Sequence, residues 1–221
     1  MPGTSVSTHD LIRLREPIAL TADAPVPSWV HEALSRTPWV VVRRGAGRAG
    51  LIPVGARGSA RPQRFAAFLA FSEVADRLSP EDLADSTAVI DRERQATVPA
   101  LAALAQVTPV LACRGRRWGP GGSIAFEVAT GMAAATPSSD LDLILRQDRR
   151  LPPDEAAELL AALAAAAEPA RVDVLLETPA GGILLAELAT RPEHVLVRTP
   201  AGPRLTADPW SAITILGVGL F

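Results

Sequence analysis

The chain has 221 residues, 48% of them apolar and 21% charged, and a formal net charge of −2. This balance sustains a sizeable core, excludes a disordered polyelectrolyte, and gives no overall pull toward nucleic acid or an anionic membrane. One cysteine, Cys113, excludes an internal disulfide framework. No stretch reaches the roughly 18 uninterrupted apolar residues of a membrane helix, and residues 1–14 lack the basic head and apolar run of a signal peptide, so a cytoplasmic protein is expected.

The absences narrow the chemistry further. Apart from three histidines every basic residue is Arg, and there is no Lys, Tyr or Asn. Without Lys there is no Walker A phosphate loop, no Schiff base and no lysine general base. Without Asn the metal ligand of protein kinases is missing too. Phosphate chemistry is left to carboxylates, arginines, hydroxyls and backbone amides.

In chain order, residues 1–8 read as an irregular start. Trp39–Val42 and Gly50–Gly55 predict two strands, joined by a Gly- and Arg-rich turn over Arg43–Arg48. Gln63–Phe71 predicts a helix, with Phe65, Phe68 and Leu69 at i, i+3 and i+4. A second helix starts at Ser79, the N-cap, with Pro80 in first position and Glu81 and Asp82 at the positive end of the dipole. Arginines 43, 44, 48, 57, 61 and 64 form a stretch without acids, whereas acids dominate between Glu73 and Glu93. A domain boundary is expected where Asp85-Ser86-Thr87 breaks the apolar pattern, giving domains of residues 1–86 and 87–221.

The second half predicts a helix over Pro99–Gln106, a strand over Thr108–Cys113 and a loop over Gly115–Ser123. A short helix to about Ala129 follows, with a strand as the alternative because of Ile124 and Val128, and then a turn at Thr130-Gly131. Next come a strand over Ser139–Leu145, a helix over Asp154–Ala167 and a strand over Arg171–Glu177 ending in the Thr178–Gly182 turn. Ile183–Ala189, Glu193–Thr199 and Pro203–Trp210 close the domain, and the short apolar run Ile213–Phe221 reads as core rather than anchor. The expected fold is α+β: a small N-terminal α/β domain, then a domain with a mixed sheet backed by helices.

The sharpest chemical signal is Ser138-Ser-Asp-Leu-Asp-Leu-Ile-Leu145. On a strand, alternation sends Asp140 and Asp142 to one face and Leu141, Leu143 and Leu145 to the other. Two carboxylates at one strand end can hold Mg²⁺, and a pair of such ions clamps the attacking and leaving oxygens of an in-line displacement. In Arg171-Val-Asp-Val-Leu-Leu-Glu177 the same alternation frees Asp173 to complete a triad and to accept a proton from an attacking hydroxyl. Upstream, Gly121-Gly122-Ser123 brings backbone amides and a hydroxyl to a phosphate, with Arg114, Arg116 and Arg117 just before it. Alone, each motif has a bland reading: a solvated strand face, an ordinary turn, a polar edge. Glycine loop, Asp-x-Asp and a later strand Asp in that order are the signature of the nucleotidyltransferase fold.

The longer motifs resemble one family. Trp118-Gly-Pro-Gly-Gly-Ser-Ile-Ala-Phe-Glu-Val-Ala-Thr-Gly131 with Ser139–Leu143 is similar to the core motif of the malonate decarboxylase holo-acyl-carrier-protein synthases, or phosphoribosyl-dephospho-CoA transferases. Arg171–Pro179, Arg198–Trp210 and, in the first half, His9-Asp-Leu and Ile52–Gly58 with Arg61–Ala66 extend the resemblance over residues 9–210. It implies a nucleotidyltransferase-like catalytic domain and a specific reaction. The donor would be 2′-(5″-triphosphoribosyl)-3′-dephospho-CoA and the acceptor a serine of the malonate decarboxylase acyl-carrier subunit. Attack at the α-phosphorus would expel pyrophosphate, with Mg²⁺, two ions by expectation, on Asp140, Asp142 and Asp173.

Gly122 and Ser123, together with Arg57, Arg61 and Arg64 beside the Gly55–Gly58 turn, are then candidate donor or carrier-protein contacts, a solvated basic face being the plain alternative. Arg198 and Arg204, flanking the turn at residues 201–203, are candidates for the phosphates or for a structural ion pair. His9 is expected to help start the fold, with a catalytic role as the lesser alternative, His31 and His194 to be surface or packing residues, Cys113 to be buried, and the tryptophans to serve the core, with Trp118 beside the glycine loop as a candidate adenine platform. Two other readings of the residues are a different nucleotidyltransferase and a carrier-binding module without chemistry.

Overall fold

The structure, a computed structural model, describes residues 6–17, 19–60, 62–86 and 90–211. The first sheet has six strands: β1 (Leu11–Leu14), β2 (Leu20–Thr21), β3 (Trp39–Val42), β4 (Leu51–Arg57), β5 (Arg64–Ala70) and β6 (Val74–Leu78). Their order is β2-β5-β4-β3-β1-β6, and every pairing is antiparallel. Alternation explains its buried face: Ile52, Val54 and Ala56 point inward from β4 and pack with Val40, Val42 and Leu69. Helix α1 (Ser28–Arg36) lays Val30 and Leu34 on the same cluster.

Residues 63–71 are not a helix. Their i, i+3, i+4 pattern spans too few residues to exclude a strand, and seven consecutive pairings with β4, from Arg57↔Arg64 to Leu51↔Ala70, decide for one.

The chain leaves the first sheet through α2 (Pro80–Asp85), whose capping box closes between Ser79 and Asp82. Helices α3 (Arg92–Thr97) and α4 (Pro99–Ala112) follow. The expected strand at Thr108–Cys113 is the last turn of α4 and its cap: Val107 and Leu111 continue the buried stripe of Leu101 and Leu104. Pro109, which reads as a helix stop, is tolerated because it and Ala105, whose carbonyl it leaves unpaired, both face water.

The second sheet runs β12-β11-β10-β9-β8-β7. Its strands are β7 (Arg117–Pro120), β8 (Leu141–Arg146), β9 (Val172–Thr178), β10 (Gly181–Leu184), β11 (Val195–Thr199) and β12 (Gly202–Thr206). Only β8 and β9 are parallel, joined by the crossover helix α6 (Pro153–Ala167), so the sheet is mixed and the fold is α+β. Helices α4, α6 and α7 (Leu185–Ala189) bury one face over Leu141, Leu143, Leu145, Val174 and Leu176. Strand β7 occupies what reads as loop, and Trp118 on it is 7% exposed within this core.

The two sheets meet through polar groups. Asp10 is fully buried and takes Arg77 at 3.0 Å and Arg146 of β8 at 3.8 Å. Arg146 also donates to Glu81 at 3.2 Å and to the Thr8 carbonyl at 3.3 Å. A charge this deep persists only when paired, so these contacts fix the segment just before β1 against the second sheet. Among the described residues, no helix is long and apolar enough to cross a membrane. The run at residues 213–221 lies outside them.

Candidate active site

Asp142 of β8 and Asp173 of β9 are register partners on adjacent parallel strands. Their neighbours Leu141, Leu143, Val174 and Leu176 go into the core, so both carboxylates stand on the face the helices leave uncovered. Burial pushes the Asp142 carboxyl above the ordinary carboxylate range, and the charges of Asp173 and Asp140 push the same way. Arg64 and Arg57 of the first sheet pull against them.

Asp140 lies one residue before β8 and is held by Arg171 in a two-pronged pair at 2.8 and 2.7 Å. Among the described residues no three His, Cys, Asp or Glu side chains are gathered as a metal-ligand set. The described arrangement is therefore an Asp142–Asp173 pair with Asp140 at its edge, engaged by an arginine.

The glycine loop lies against this pair. Gly121, the N-cap of α5 (Gly122–Thr130), donates its amide to the Asp142 carbonyl at 2.8 Å. Gly122 has φ +56°, and a β-carbon there would lie 1.9 Å from Asp142 Oδ2, so the position requires glycine on both counts. No side chain caps α5, leaving its first amides and dipole end for an anion. Ser123 is 7% exposed, with its hydroxyl 3.5 Å from that of Ser139. The chain thus returns to the loop just before Asp140, despite the distance in sequence.

A cleft of about 320 Å³ opens between the first sheet and the start of α5, bounded by Arg57, Arg64, Phe65, Gly121, Gly122 and Phe126. A neighbouring cleft of about 590 Å³ shares Arg43, Arg64 and Gly122 with it and adds Arg44 and Arg198. The hairpin that carries Arg57 and Arg64 as register partners therefore delivers positive charge from one sheet to carboxylates on the other.

Other candidates lie elsewhere. Arg198 pairs in register with Pro203, and Val197 with Arg204. Alternation sends Arg204 to the opposite face from Arg198, so it does not line the cleft. Arg61 lies outside the described residues. Arg117 pairs with Glu81 and Asp148, and Arg116 with Gln147, at the end of β7 away from Asp142. Trp118 is in the core and presents no ring to the loop, and Cys113 is exposed rather than buried. His31 and His194 are exposed, so of the surface and packing readings the first holds.

Sequence reasoning gave His9 a catalytic role only as the lesser alternative and passed over Glu177. His9 borders both clefts and its Nε2 is 2.8 Å from Glu177 Oε1, which Arg44 also engages. The pair spans 168 positions, and no local pattern announces it. The traces in the sequence are the His9-Asp-Leu motif and the place of Glu177 on the same face of β9 as Asp173.

The profile for the phosphoribosyl-dephospho-CoA transferase MdcG C-terminal domain matches residues 83–209, and that for its N-terminal domain matches residues 7–80. A Pseudomonas putida protein named phosphoribosyl-dephospho-CoA transferase is 42% identical over 205 residues, covering 93% of this chain and 95% of the relative. Proteins of the same name from Pseudomonas syringae pv. tomato and Azotobacter vinelandii are 44% and 39% identical, covering 93% and 86% of the chain and 93% and 89% of their own lengths. No solved structure matches the chain. An anion-ready helix start, paired aspartates and facing arginines, in a chain with these relatives, define a transferase. The chain belongs to the phosphoribosyl-dephospho-CoA transferase MdcG family.

Proposed function

We propose that the protein transfers the phosphoribosyl-dephospho-CoA group from 2′-(5″-triphosphoribosyl)-3′-dephospho-CoA to a serine of the malonate decarboxylase acyl-carrier subunit, releasing pyrophosphate by nucleotidyltransferase chemistry. The observation that carries this reading is the in-register Asp142–Asp173 pair beside Gly122, on the face turned toward Arg57 and Arg64. The relatives' name supplies the transferred group; the acceptor and the chemistry come from the resemblance and from this geometry.

Asp142 and Asp173 suit Mg²⁺, which binds through one or two carboxylates plus substrate phosphates, and a carboxylate raised by burial and by like charges is one that gains from a cation. Asp140 would join them on release from Arg171. When bound, the metal would offset triphosphate charge and favour attack at the α-phosphorus. The α5 amides and Gly122 seat the phosphates, Arg57 and Arg64 grip them, and Asp173, exposed at the strand surface, accepts the serine proton. An apolar row beside the aspartates, in which Leu175 pairs with Leu184 and Leu196 with Leu205, suits an acceptor that is itself a protein.

The test is to mix the protein, Mg²⁺, the triphosphoribosyl donor and the folded apo carrier subunit, and weigh the carrier. A gain of the prosthetic-group mass on one serine is expected. No gain on a folded acceptor rejects the reading, and retention of α-phosphate label from ATP would redirect it to another nucleotidyltransferase.

A further inference from the structure

We propose that His9 protonates the departing pyrophosphate through Nδ1, with Glu177 as the residue that positions its ring. The proposal rests on the transfer reaction above and assigns the leaving-group side of it.

The backbone at His9 is unusual. Its φ is +77°, a left-handed conformation that costs a non-glycine residue about 1–2 kcal/mol. The surroundings hold it there. The His9 amide donates to the Val42 carbonyl at 2.9 Å, the Thr8 carbonyl accepts from Arg146, and Asp10 is buried against Arg77. A strained residue fixed from both sides, with its side chain at the edge of two clefts, points to use of that side chain.

The ring is oriented as a proton donor. Nε2 lies 2.8 Å from Glu177 Oε1. Burial raises the Glu177 carboxyl, but the hydrogen bonds from His9 and Arg44 outweigh it and hold it below the usual carboxylate range. An ionised carboxylate only accepts, so Nε2 carries hydrogen and Nδ1 is the nitrogen left for a ligand. Among the described residues no hydrogen bond reaches Nδ1. The charged groups facing the ring are Glu177 and Arg44, with Arg43 and Arg64 across the shared cleft.

That cleft also contains Gly122, at the helix start where the phosphates are seated. The step then balances. The serine oxygen bonds to the α-phosphorus and its proton passes to a carboxylate of the aspartate pair. The bond between the α-phosphorus and the bridging oxygen breaks, with its electrons staying on the pyrophosphate. A proton on Nδ1 passes to that pyrophosphate; afterwards the aspartate releases the serine proton to solvent and the ring takes one up from solvent.

Two experiments on the full-length protein test this. The chain has three histidines, so their imidazole resonances can be followed together and assigned with His9→Asn, a substitution chosen because Asn tolerates a positive φ. Saturating inorganic pyrophosphate should shift the His9 ring signal and leave His31 and His194 in place. No shift at His9 overturns the proposal. In transfer assays His9→Asn should lower kcat about 100-fold, and the deficit should shrink with a donor whose leaving group is the more acidic difluoromethylene bisphosphonate. An equal deficit with both donors overturns it. Glu177→Gln should lower kcat less, and adding it to His9→Asn should cost nothing further. If the wild type modifies no carrier while pyrophosphate still moves His9, the transfer reading fails and the anion site at His9 stands.

Discussion

A β-carbon on Gly122 would lie 1.9 Å from Oδ2 of Asp142. The glycine and the aspartate therefore interlock: any side chain at 122 must displace the carboxylate or unwind the first turn of α5. Gly122→Ala should keep its far-ultraviolet circular dichroism and lose transfer activity by at least about 100-fold, the usual effect of moving a reacting group by an ångström.

Asp142→Asn separates stability from activity. Transfer should fall by orders of magnitude, yet the fold should become more resistant to urea at neutral pH in the presence of a chelator. The sign follows from the raised carboxyl. The folded state holds this proton to a higher pH than the unfolded chain, so its advantage is full below the unfolded carboxylate range and is lost as pH rises through the folded value. The gap between variant and wild type should therefore close as the buffer is made acidic. A wild type that stays the more stable at neutral pH would contradict the argument.

Arg57 and Arg64 should act on donor binding. Replacing both with Ala removes two charges facing Asp142. KM for the triphosphate donor should rise by at least about 100-fold, with kcat changing less, because each of the two lost charge-assisted contacts is worth roughly 1.5–3 kcal/mol. Steady-state kinetics at fixed ionic strength would show it, and an unchanged KM would remove the arginines from the site.

Arg171 occupies Asp140 from the solvent side, where its side chain is 80% exposed. Arg171→Ala should leave the melting temperature nearly unchanged and lower the Mg²⁺ concentration needed for half-maximal activity. A higher requirement would show that the arginine supports the metal ligand rather than competing for it.

Glu127 tests the scaffold behind the glycine loop. It is 7% exposed and accepts two bonds from Arg94 and the amides of Ala134 and Ala135. Burial raises its carboxyl, but these donors together hold it below the usual range. Its stabilisation is thus complete above the unfolded glutamate value and lost as pH falls through the folded one. Glu127→Ala should cost about 1–3 kcal/mol at neutral pH, since it leaves the amides of Ala134 and Ala135 without their acceptor, and less in acid. Urea unfolding at two pH values checks both claims.

The carboxylate-bearing face was the most legible part of the chain because strand alternation is strict: Leu141, Leu143 and Leu145 against Asp142, and Val174 and Leu176 against Asp173, assign faces without any tertiary knowledge. Local capping was legible for the same reason at Ser79, where the hydroxyl and Asp82 bond reciprocally. Pairing decided what periodicity left open. Residues 64–70 are a strand because β4 lies beside them, and residues 108–112 are helical because Val107 and Leu111 meet the second core. His9–Glu177 and the arrival of Arg57 and Arg64 at Asp142 come from one sheet docking on another, which no window of sequence contains.

Strand β12 ends the second sheet, with no further strand on its outer side among the described residues, and its Leu205 is 69% exposed. A bare, greasy rim of this kind is where one molecule's sheet would be extended by the next. Pro203, which has no amide hydrogen to offer, and Arg204, which carries charge onto the rim, both sit there. The arginine that sequence reading offered to the donor thus sits on the edge strand, and exchanging these two residues for Val should make the protein precipitate long before it loses its chemistry.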